Sequence, residues 1–341
     1  PSPVSWAKRP LWAPVFKARI ALALKAPKLI AEIFRTENIS LFTEVQNLSS
    51  EYQGTVGVMT VEIDGQTKTL QQAGVYLENA DRAIREMAYR KIQERRIQDR
   101  DKLDEVFNKL KTVRHQIALN AGFENFRDYS FASLKRFDYT PKECFDFHEA
   151  VAETVVPILN QLAEERKATL ALDSLRPWDK GVDVKGRPAL HPFNGGEDLL
   201  NKTIDCFNLL DPFLGECLTL MKQMGRLDLE SRIGKAPGGY NYPLEETGFP
   251  FIFMNASSLM RDVITLLHEG GHAVHSIVTK DLAATDAAIK RTGCVTGANL
   301  KTWTNGMANL RTAMGLPQPQ AVQPQVFALT PVGDYKHRLV L

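Results

Sequence analysis

Apolar residues recur at every third or fourth position over residues 257–280, which is the spacing of a helix that buries one side. The members of this stripe are Val263, Ile264, Leu267, Val274 and Ile277. The side chain of Asn255, Ser257 or Ser258 can accept a hydrogen bond from the first amide groups of the helix and so cap its start. This pattern predicts an amphipathic helix that packs on an apolar core.

Helical spacing also dominates the earlier part of the chain. Residues 77–120 are rich in charge and predict two helices, the first of which Asn79 or Asp81 would open. Two more helices are expected at residues 197–210 and 211–225, after a loop in which Pro and Gly are frequent. The chain is therefore predicted to be mainly α-helical.

The longest predicted helix begins after Thr140. Thr140 and Glu143 form the pattern of a capping box around Pro141, and proline is favoured at the first position of a helix. This helix should run to about Leu170. Its buried side would be lined by apolar residues at helical spacing: Phe145, Val151, Val155, Ile158 and Leu162.

Two short stretches have the pattern of strands. Residues 60–70 alternate around Asp64-Gly65, a pair that favours a tight hairpin turn. Residues 249–256 are a short apolar run directly before the helix at 257–280, and an edge strand in this place could pair with an extended peptide. The predicted fold class is mainly α, as a single domain with a short β-hairpin and an edge strand.

The composition excludes several classes of protein. Of 341 residues, 44% are hydrophobic and 24% are charged, and the net charge is +2, so binding to nucleic acid is not indicated. No run of eighteen apolar residues is present, so no membrane span is expected. The cysteines are far apart in the sequence, which is typical of reduced thiols and indicates a cytoplasmic protein. They are Cys144, Cys206, Cys217 and Cys294.

The helix at residues 257–280 carries the clearest chemical signal, the motif His-Glu-x-x-His. One turn separates His268 from His272, so both imidazoles project from one face and can bind one tetrahedral Zn²⁺ ion. Glu269 lies about 100° around the helix, where its carboxylate can reach a water molecule on the metal without binding the metal itself. The motif predicts a zinc site in which Glu269 is the general base for hydrolysis of a peptide bond.

Four residues near this motif are further candidates. Gly270 and Gly271 lie inside the helix although each glycine costs about 1 kcal/mol there, and the close approach of a substrate would explain both. The loop at residues 234–244 carries Tyr240 and Tyr242. Their hydroxyl groups could donate to a developing oxyanion, or the two rings could only anchor the loop.

Residues 234–244, 250–256 and 265–276 together resemble metallopeptidase family M3, and specifically its oligoendopeptidase F branch. The resemblance implies a zincin-like helical ellipsoid that is split by a deep channel, with zinc at the channel floor. It also implies that the substrates are short peptides, because such a channel would exclude folded proteins.

Residue by residue, the resemblance implies that His268 and His272 bind Zn²⁺ and that Glu269 is the catalytic base. His275 also matches a histidine of the family. It lies about 10 Å along the helix from His268, which is too far to share a compact ion. We therefore expect His275 to contact a metal ligand or the substrate.

The sequence departs from the family after the histidine motif. The family takes its third zinc ligand from a glutamate on a later helix, but residues 291–300 contain none and no glutamate follows Glu269. The family's C-terminal part, with its His and Tyr substrate-binding motif, is not found either. One alternative is that Asp281 or Asp286 is the third ligand. Another is a change of reading frame, because codons allowed for residues 288–292 can spell Pro-Ser-Ser-Glu one base later.

These observations divide the chain into three segments. Residues 1–30 are a basic segment without an assigned function, residues 31–286 are a truncated M3-like helical peptidase domain, and residues 287–341 are a tail of foreign composition. The predicted function is a zinc-dependent endopeptidase that hydrolyses short oligopeptides through a Glu-activated, zinc-bound water. The alternative is a catalytically inactive helical remnant, or a peptide-binding protein without a complete zinc site.

Overall fold

A computed structural model of the protein describes residues 25–244 and 246–279. These residues are mostly helical, which confirms the predicted fold class. They form two compact units: residues 25–43 and 113–144 belong to the first, and the other described residues up to Val278 belong to the second. None of the helices in this part of the chain is long and apolar enough to cross a membrane.

The helices and strands of the described residues are labelled in chain order. The helices are α1 (residues 25–33), α2 (Asn38–Gly57), α3 (Leu70–Gly74), α4 (Arg82–Gln98), α5 (Arg100–Asn120), α6 (Phe126–Ser133), α7 (Pro141–Thr169), α8 (Gly195–Leu210), α9 (Pro212–Gln223) and α10 (Met260–Thr279). The strands are β1 (Thr60–Ile63), β2 (Gln66–Thr69), β3 (Leu227–Glu230), β4 (Tyr240–Tyr242) and β5 (Phe251–Ala256). Most of the predicted basic segment and all of the predicted foreign tail lie outside the described residues.

Polar contacts join the start of α2 to the end of α5 in the first unit. Asn38 is buried, and its Nδ2 donates to the Ile117 carbonyl oxygen at 3.0 Å. Its Oδ1 accepts from Asn120 Nδ2 at 2.8 Å. The amino group and the carbonyl oxygen of the buried Asn38 side chain are therefore both hydrogen-bonded, as is usual for buried polar groups.

The predicted hairpin is confirmed in the second unit. Strands β1 and β2 pair in antiparallel register from Thr60↔Thr69 to Ile63↔Gln66. The turn between them places Asp64 at φ 54° and Gly65 at φ 69°, the positive values that a two-residue hairpin turn of type I′ needs. The hairpin packs with α3 and α4 around a small core of Met59, Val61, Ile63, Leu70, Ala73, Ala88 and Ile92.

Two predicted helix starts are also confirmed. Helix α4 begins after Asp81, whose Oδ1 accepts from the Ala83 amide at 2.8 Å. Helix α7 begins at Pro141, and Glu143 Oε2 accepts from the Thr140 amide at 2.7 Å. Capping residues place a helix start well because they satisfy amide groups that have no partner inside the helix.

The predicted buried side of α7 is wrong. None of its residues is buried, and the apolar positions expected to line a core are exposed or half-buried. They are Phe145, Val151, Val155, Ile158 and Leu162. Periodicity shows which side of a helix is apolar, but it does not show whether another element covers that side.

A buried carboxylate anchors the loop at residues 171–194 to α4. Asp179 is fully buried, and it accepts two hydrogen bonds of 2.9 Å from Arg82 and one of 3.1 Å from Arg85 Nη2. The Arg176 amide donates to the same carboxylate at 2.9 Å. The hydrogen bonds from Arg82, the Arg176 amide and Arg85 lower the pKa of Asp179 from 3.8 to about 2.

Strands β3, β5 and β4 form a second sheet, in that order. Strand β3 is parallel to β5, and β4 is antiparallel to it. The prediction that residues 249–256 provide a free edge is therefore wrong, because β5 is paired on both sides. Strands β3 and β4 have only four and three residues, too few for a period-two pattern to reveal them. In the described residues, the outer edges of this sheet belong to β3 and β4.

Helix α10 packs on β5 through an apolar layer. Leu266, Ala273 and Ile277 of the helix are buried in one cluster with Ile252 and Met254 of the strand. Of the predicted stripe, Ile277 is buried, while Val263, Leu267 and Val274 are partly buried against this cluster. The prediction is wrong for Ile264, because this residue is exposed.

The predicted cap of α10 is also wrong. The helix begins at Met260 rather than beside Asn255, Ser257 or Ser258. The carboxylate of Asp262 instead accepts from the amides of Ser257 and Leu259, at 2.7 and 2.9 Å. An acidic residue in the first turn therefore satisfies the amide groups before the helix.

We predict that removal of the buried carboxylate changes the acid stability of the protein. Asp179→Asn should lower the free energy of unfolding at pH 7 by about 2–4 kcal/mol, since buried Arg85 loses its counter-charge. Because folding lowers the pKa of Asp179, its ionised form stabilises the wild type above about pH 4, and this contribution is lost as the pH falls towards about 2. The free energy of unfolding of Asp179→Asn should therefore lack this decrease between about pH 4 and about pH 2.

Urea denaturation at a series of pH values measures this effect. Asp101→Asn is the matched control, because its partner Arg100 and its own side chain are largely exposed, and a change below about 0.5 kcal/mol is expected. An Asp179→Asn curve parallel to the wild-type curve would contradict the role of this carboxylate.

We also predict opposite effects at the two adjacent glycines of α10. A Cβ at Gly270 would lie 3.1 Å from the Phe207 ring, whereas a Cβ at Gly271 meets no atom within 4 Å. Gly271→Ala should therefore raise the free energy of unfolding by about 0.5–1 kcal/mol, and Gly270→Val should lower it by about 1–3 kcal/mol. Urea titrations followed by circular dichroism compare the two, and changes of the same sign would argue against tight packing at Gly270.

Candidate functional site

The two histidines of the motif converge on one side of α10. Their Nε2 atoms are 3.1 Å apart, and their ring centroids are 4.6 Å apart with the planes nearly perpendicular. His268 is exposed and His272 is half-buried. At 100° per residue, both lie roughly opposite the buried Leu266 and Ala273, and exposed His275 lies on the same side as the pair.

The spacing of the two imidazole nitrogens suits a metal ion. With Zn–N distances of about 2.0–2.1 Å, two ligands of a tetrahedral zinc site lie about 3.3 Å apart. The separation of 3.1 Å between His268 Nε2 and His272 Nε2 is close to this value. The spacing of the pair is therefore compatible with two ligands of one zinc ion.

Glu269 lies between the histidine side and the buried side of α10. It is 9% exposed, and among the described residues no hydrogen bond or ion pair holds its carboxylate. The Glu269 oxygens are not among the solvent-inaccessible polar atoms of the described residues, so the carboxylate can meet water. This carboxylate is thus positioned beside the two imidazoles with its acceptor oxygens unused.

No third metal ligand is found in the described residues. Within them, no group of three or more His, Cys, Asp or Glu side chains could hold a metal ion together. The predicted alternatives Asp281 and Asp286 lie outside the described residues, as do residues 291–300. The structure therefore brings His268 and His272 together and leaves the predicted third ligand untested.

The two candidate tyrosines differ in their surroundings. Both belong to β4, where Tyr240 is 46% and Tyr242 is 60% exposed. Tyr240 stacks on Phe253 of β5, with centroids 5.0 Å apart and an interplanar angle of 14°. Tyr240 thus packs on the sheet as an anchor would, and its predicted contact with an oxyanion stays a prediction, as it does for Tyr242.

The loop before β4 lies directly against α10. A Cβ at Gly239 would be 3.2 Å from Thr265 Cγ2 and 3.3 Å from Met254 Cβ, so a side chain larger than that of glycine is crowded here. Asn255 Nδ2 donates at 2.9 Å to the carbonyl oxygens of both Ala236 and Gly238. Since Thr265 is one turn before His268, β4 starts beside the turn that leads into the motif.

Asn241 has an unpaired buried atom on the same strand. Its Oδ1 is inaccessible to solvent, and no described residue forms a hydrogen bond with it. Asn241 pairs with Ile252 in the sheet, so its side chain is on the face of the sheet that carries the core shared with α10. Residue type alone does not predict that Asn241 is buried, because asparagine in a short aromatic stretch is expected at the surface.

The sequence interpretation gave no role to Lys235, which is a buried cation. The residue is 7% exposed, and its Nζ donates to Asp228 Oδ1 at 2.9 Å. It also donates to the carbonyl oxygens of Asp228, Glu230 and Met254, at 3.1, 2.8 and 2.5 Å. Hydrogen bonds from Arg232 and Lys235 lower the pKa of Asp228 to about 2, whereas burial lowers the pKa of Lys235.

A comparison with protein families places the candidate site inside a known family model. A model described as Peptidase family M3 matches residues 75–185 and 215–290, which together are more than half of the 341 residues. The second range includes β3, β4, β5 and α10, and therefore every candidate residue described above.

Individual proteins that are similar to this chain are named oligoendopeptidase F homologues. An oligoendopeptidase F homologue of Lactococcus lactis subsp. lactis (strain IL1403) is 22% identical over 205 residues, which are 60% of this chain and 33% of that protein. Another, from Mycoplasma pneumoniae, is 28% identical over 214 residues, or 59% of this chain and 32% of that protein. The chain spans about a third of the length of these two relatives.

A solved structure supports the fold. A Bacillus anthracis chain described as an oligoendopeptidase F superposes with a TM-score of 0.73 at 22% identity. The similarity covers 81% of this chain and 50% of the Bacillus anthracis chain. The described residues thus have the fold of one half of that chain.

We predict unequal roles for the two tyrosines of β4 in stability. Tyr240→Ala should lower the free energy of unfolding by about 1–2 kcal/mol, because the stack on Phe253 is lost. Tyr242→Ala is the matched control on the same strand and should change it by less than about 0.5 kcal/mol, since its side chain is mostly exposed. Thermal or urea unfolding measures both, and equal losses would show that the stack does not anchor β4.

Proposed function

The chain belongs to peptidase family M3, and on that premise we propose that it is a zinc-dependent endopeptidase that hydrolyses short oligopeptides. Relatives named oligoendopeptidase F support the substrate class. The observation that carries the proposal is the convergence of His268 Nε2 and His272 Nε2 beside the buried Glu269. Because the chain spans only part of those relatives, the activity is proposed from its own residues.

His268 and His272 would hold the metal through their Nε2 atoms. Their separation of 3.1 Å fits two corners of a tetrahedral site. When bound, zinc would polarise the scissile carbonyl and make a water molecule more acidic. The imidazoles fix the position of this chemistry because they project from a helix whose opposite side is packed in the core.

Glu269 would act as the general base. Its unused acceptor oxygens can take a proton from the attacking water, and the resulting carboxylic acid can return that proton to the leaving amine. His275, further along the same side, would contact the bound peptide rather than the metal.

The outer edge of β4 would bind the peptide in extended form. Within the described residues, β4 pairs with a strand on one side, that of β5, so its other backbone groups can pair with one more strand. The edge begins at the loop that contacts Thr265, one turn before His268. Tyr240 and Tyr242 project from this strand and would contact the side chains of the peptide.

A second candidate is a peptide-binding protein without catalysis. It is favoured by the lack of a third metal-binding side chain near the histidine pair within the described residues. Two imidazoles alone bind zinc weakly, so an incomplete site would lose the metal while β4 still bound peptides.

Zinc content and peptide cleavage distinguish the two candidates. We predict that the wild type retains about one zinc ion per chain after dialysis and cleaves a quenched fluorescent peptide. Glu269→Gln should retain the metal and lose activity by about 10²–10⁴-fold, because it removes the base and leaves both imidazoles in place. His268→Ala should lose both the zinc ion and the activity.

Two surface variants are the matched controls. Glu216→Gln on α9 and His148→Ala on α7 make the same chemical changes at exposed positions, and both should keep wild-type activity and zinc content. Cleavage that survives Glu269→Gln would reject the proposed mechanism. A wild type that binds peptides but holds no zinc would support the second candidate.

A further inference from the structure

The pairing of β3 with β5 contains a β-bulge. Asp228 pairs with Phe253, but Glu230 pairs with Ala256, so two residues of β5 lie opposite the single residue Leu229. The two are Met254 and Asn255. A bulge leaves some backbone groups of the ladder without their usual partners and re-aims the strand beyond it.

The Lys235 ammonium lies at this bulge. It donates to the carbonyl oxygens of Asp228 and Glu230, which flank Leu229, and to the carbonyl oxygen of Met254 on the bulged strand. One cation therefore bridges both strands at the bulge through three backbone carbonyl oxygens. Its Nζ also lies 4.4 Å from the centre of the Phe253 ring, on which Tyr240 of β4 stacks.

A buried ammonium group is not expected to stabilise the fold more than an apolar side chain at the same position would. Its counter-ion Asp228 is already held by Arg232 through two hydrogen bonds, so Lys235 is not needed to neutralise it. A buried ion pair often adds little stability compared with apolar residues, and fixing one arrangement over another is its best supported use. At this position the alternative arrangement is a shifted strand register.

The register of β5 determines where β4 and its edge lie. A shift by one residue would turn Ile252 and Met254 out of the core that they share with α10. Strand β4 pairs with residues 251–253, directly before the bulge, and Lys235 lies in the loop of residues 231–239 that leads into β4. Asn255, in the bulge, holds two carbonyl oxygens of that loop.

We propose that Lys235 is a positioning residue: its ammonium fixes the register of the three-stranded sheet at the bulge and so holds the outer edge of β4 in place for a bound peptide. The role in peptide binding rests on the proposed function, whereas the role in strand register does not. Lys235 acts through β5 and the loop before β4.

The test compares Lys235→Met with Arg232→Met. Both remove a cation that contacts Asp228, but only Lys235 contacts the three backbone carbonyl groups. Binding of a fluorescein-labelled casein-derived peptide is measured by anisotropy, with Glu269→Gln as the parent protein to prevent cleavage. Lys235→Met should weaken the affinity by about tenfold or more, and Arg232→Met by less than about twofold.

Amide hydrogen exchange provides a readout that does not depend on peptide binding. Lys235→Met should accelerate exchange in residues 236–242 and 251–256 by about tenfold or more and leave the β1–β2 hairpin unchanged. If Lys235→Met does not fold, Lys235→Gln takes its place, because it keeps an N–H donor without the charge. The same local acceleration, to a smaller extent, is then expected.

Three outcomes separate the proposals. Unchanged exchange and affinity in Lys235→Met would overturn the positioning role, and so would acceleration spread evenly over the chain, which indicates general destabilisation. Local acceleration together with weaker binding supports it. If the parent protein binds no peptide, the proposed function fails, and the exchange result alone decides whether Lys235 sets the register.

Discussion

The apolar layer between β5 and α10 determines where the candidate chemistry lies. Leu266, Ala273 and Ile277 must face the strand to be buried, and one helix can bury only one side in this way. The geometry of the helix then places His268 and His272 about half a turn away, where they converge in contact with water. The same residues that stabilise the helix therefore orient the two imidazoles, without any direct contact to them.

Buried charges serve a different purpose in this protein from buried apolar residues. Asp179 anchors a long loop to α4, and Lys235 lies at a bulge between two strands. Both places contain backbone groups that no regular helix or ladder can pair, and a charged side chain with several donors or acceptors can satisfy them together. The apolar layers hold elements together, while these two groups determine the path of the chain between elements.

The sequence predicted elements far better than it predicted their surroundings. The caps at Asp81 and Thr140 located two helix starts, because capping is a local interaction that a few residues encode. The exposed side of α7 and the central position of β5 were missed, since each depends on what lies next to the element. Lys235 was missed for the same reason: a lysine in a loop of Gly and Pro gives no local sign that three carbonyl groups will surround it.

The unpaired carboxylate of Glu269 connects the two parts of the candidate site. The imidazoles of His268 and His272 remain in contact with water, so their position costs the fold little. The Glu269 residue is largely buried, yet no hydrogen bond or ion pair among the described residues holds its carboxylate. Packing of α10 on β5 uses the opposite side of the helix, so it needs none of these three side chains.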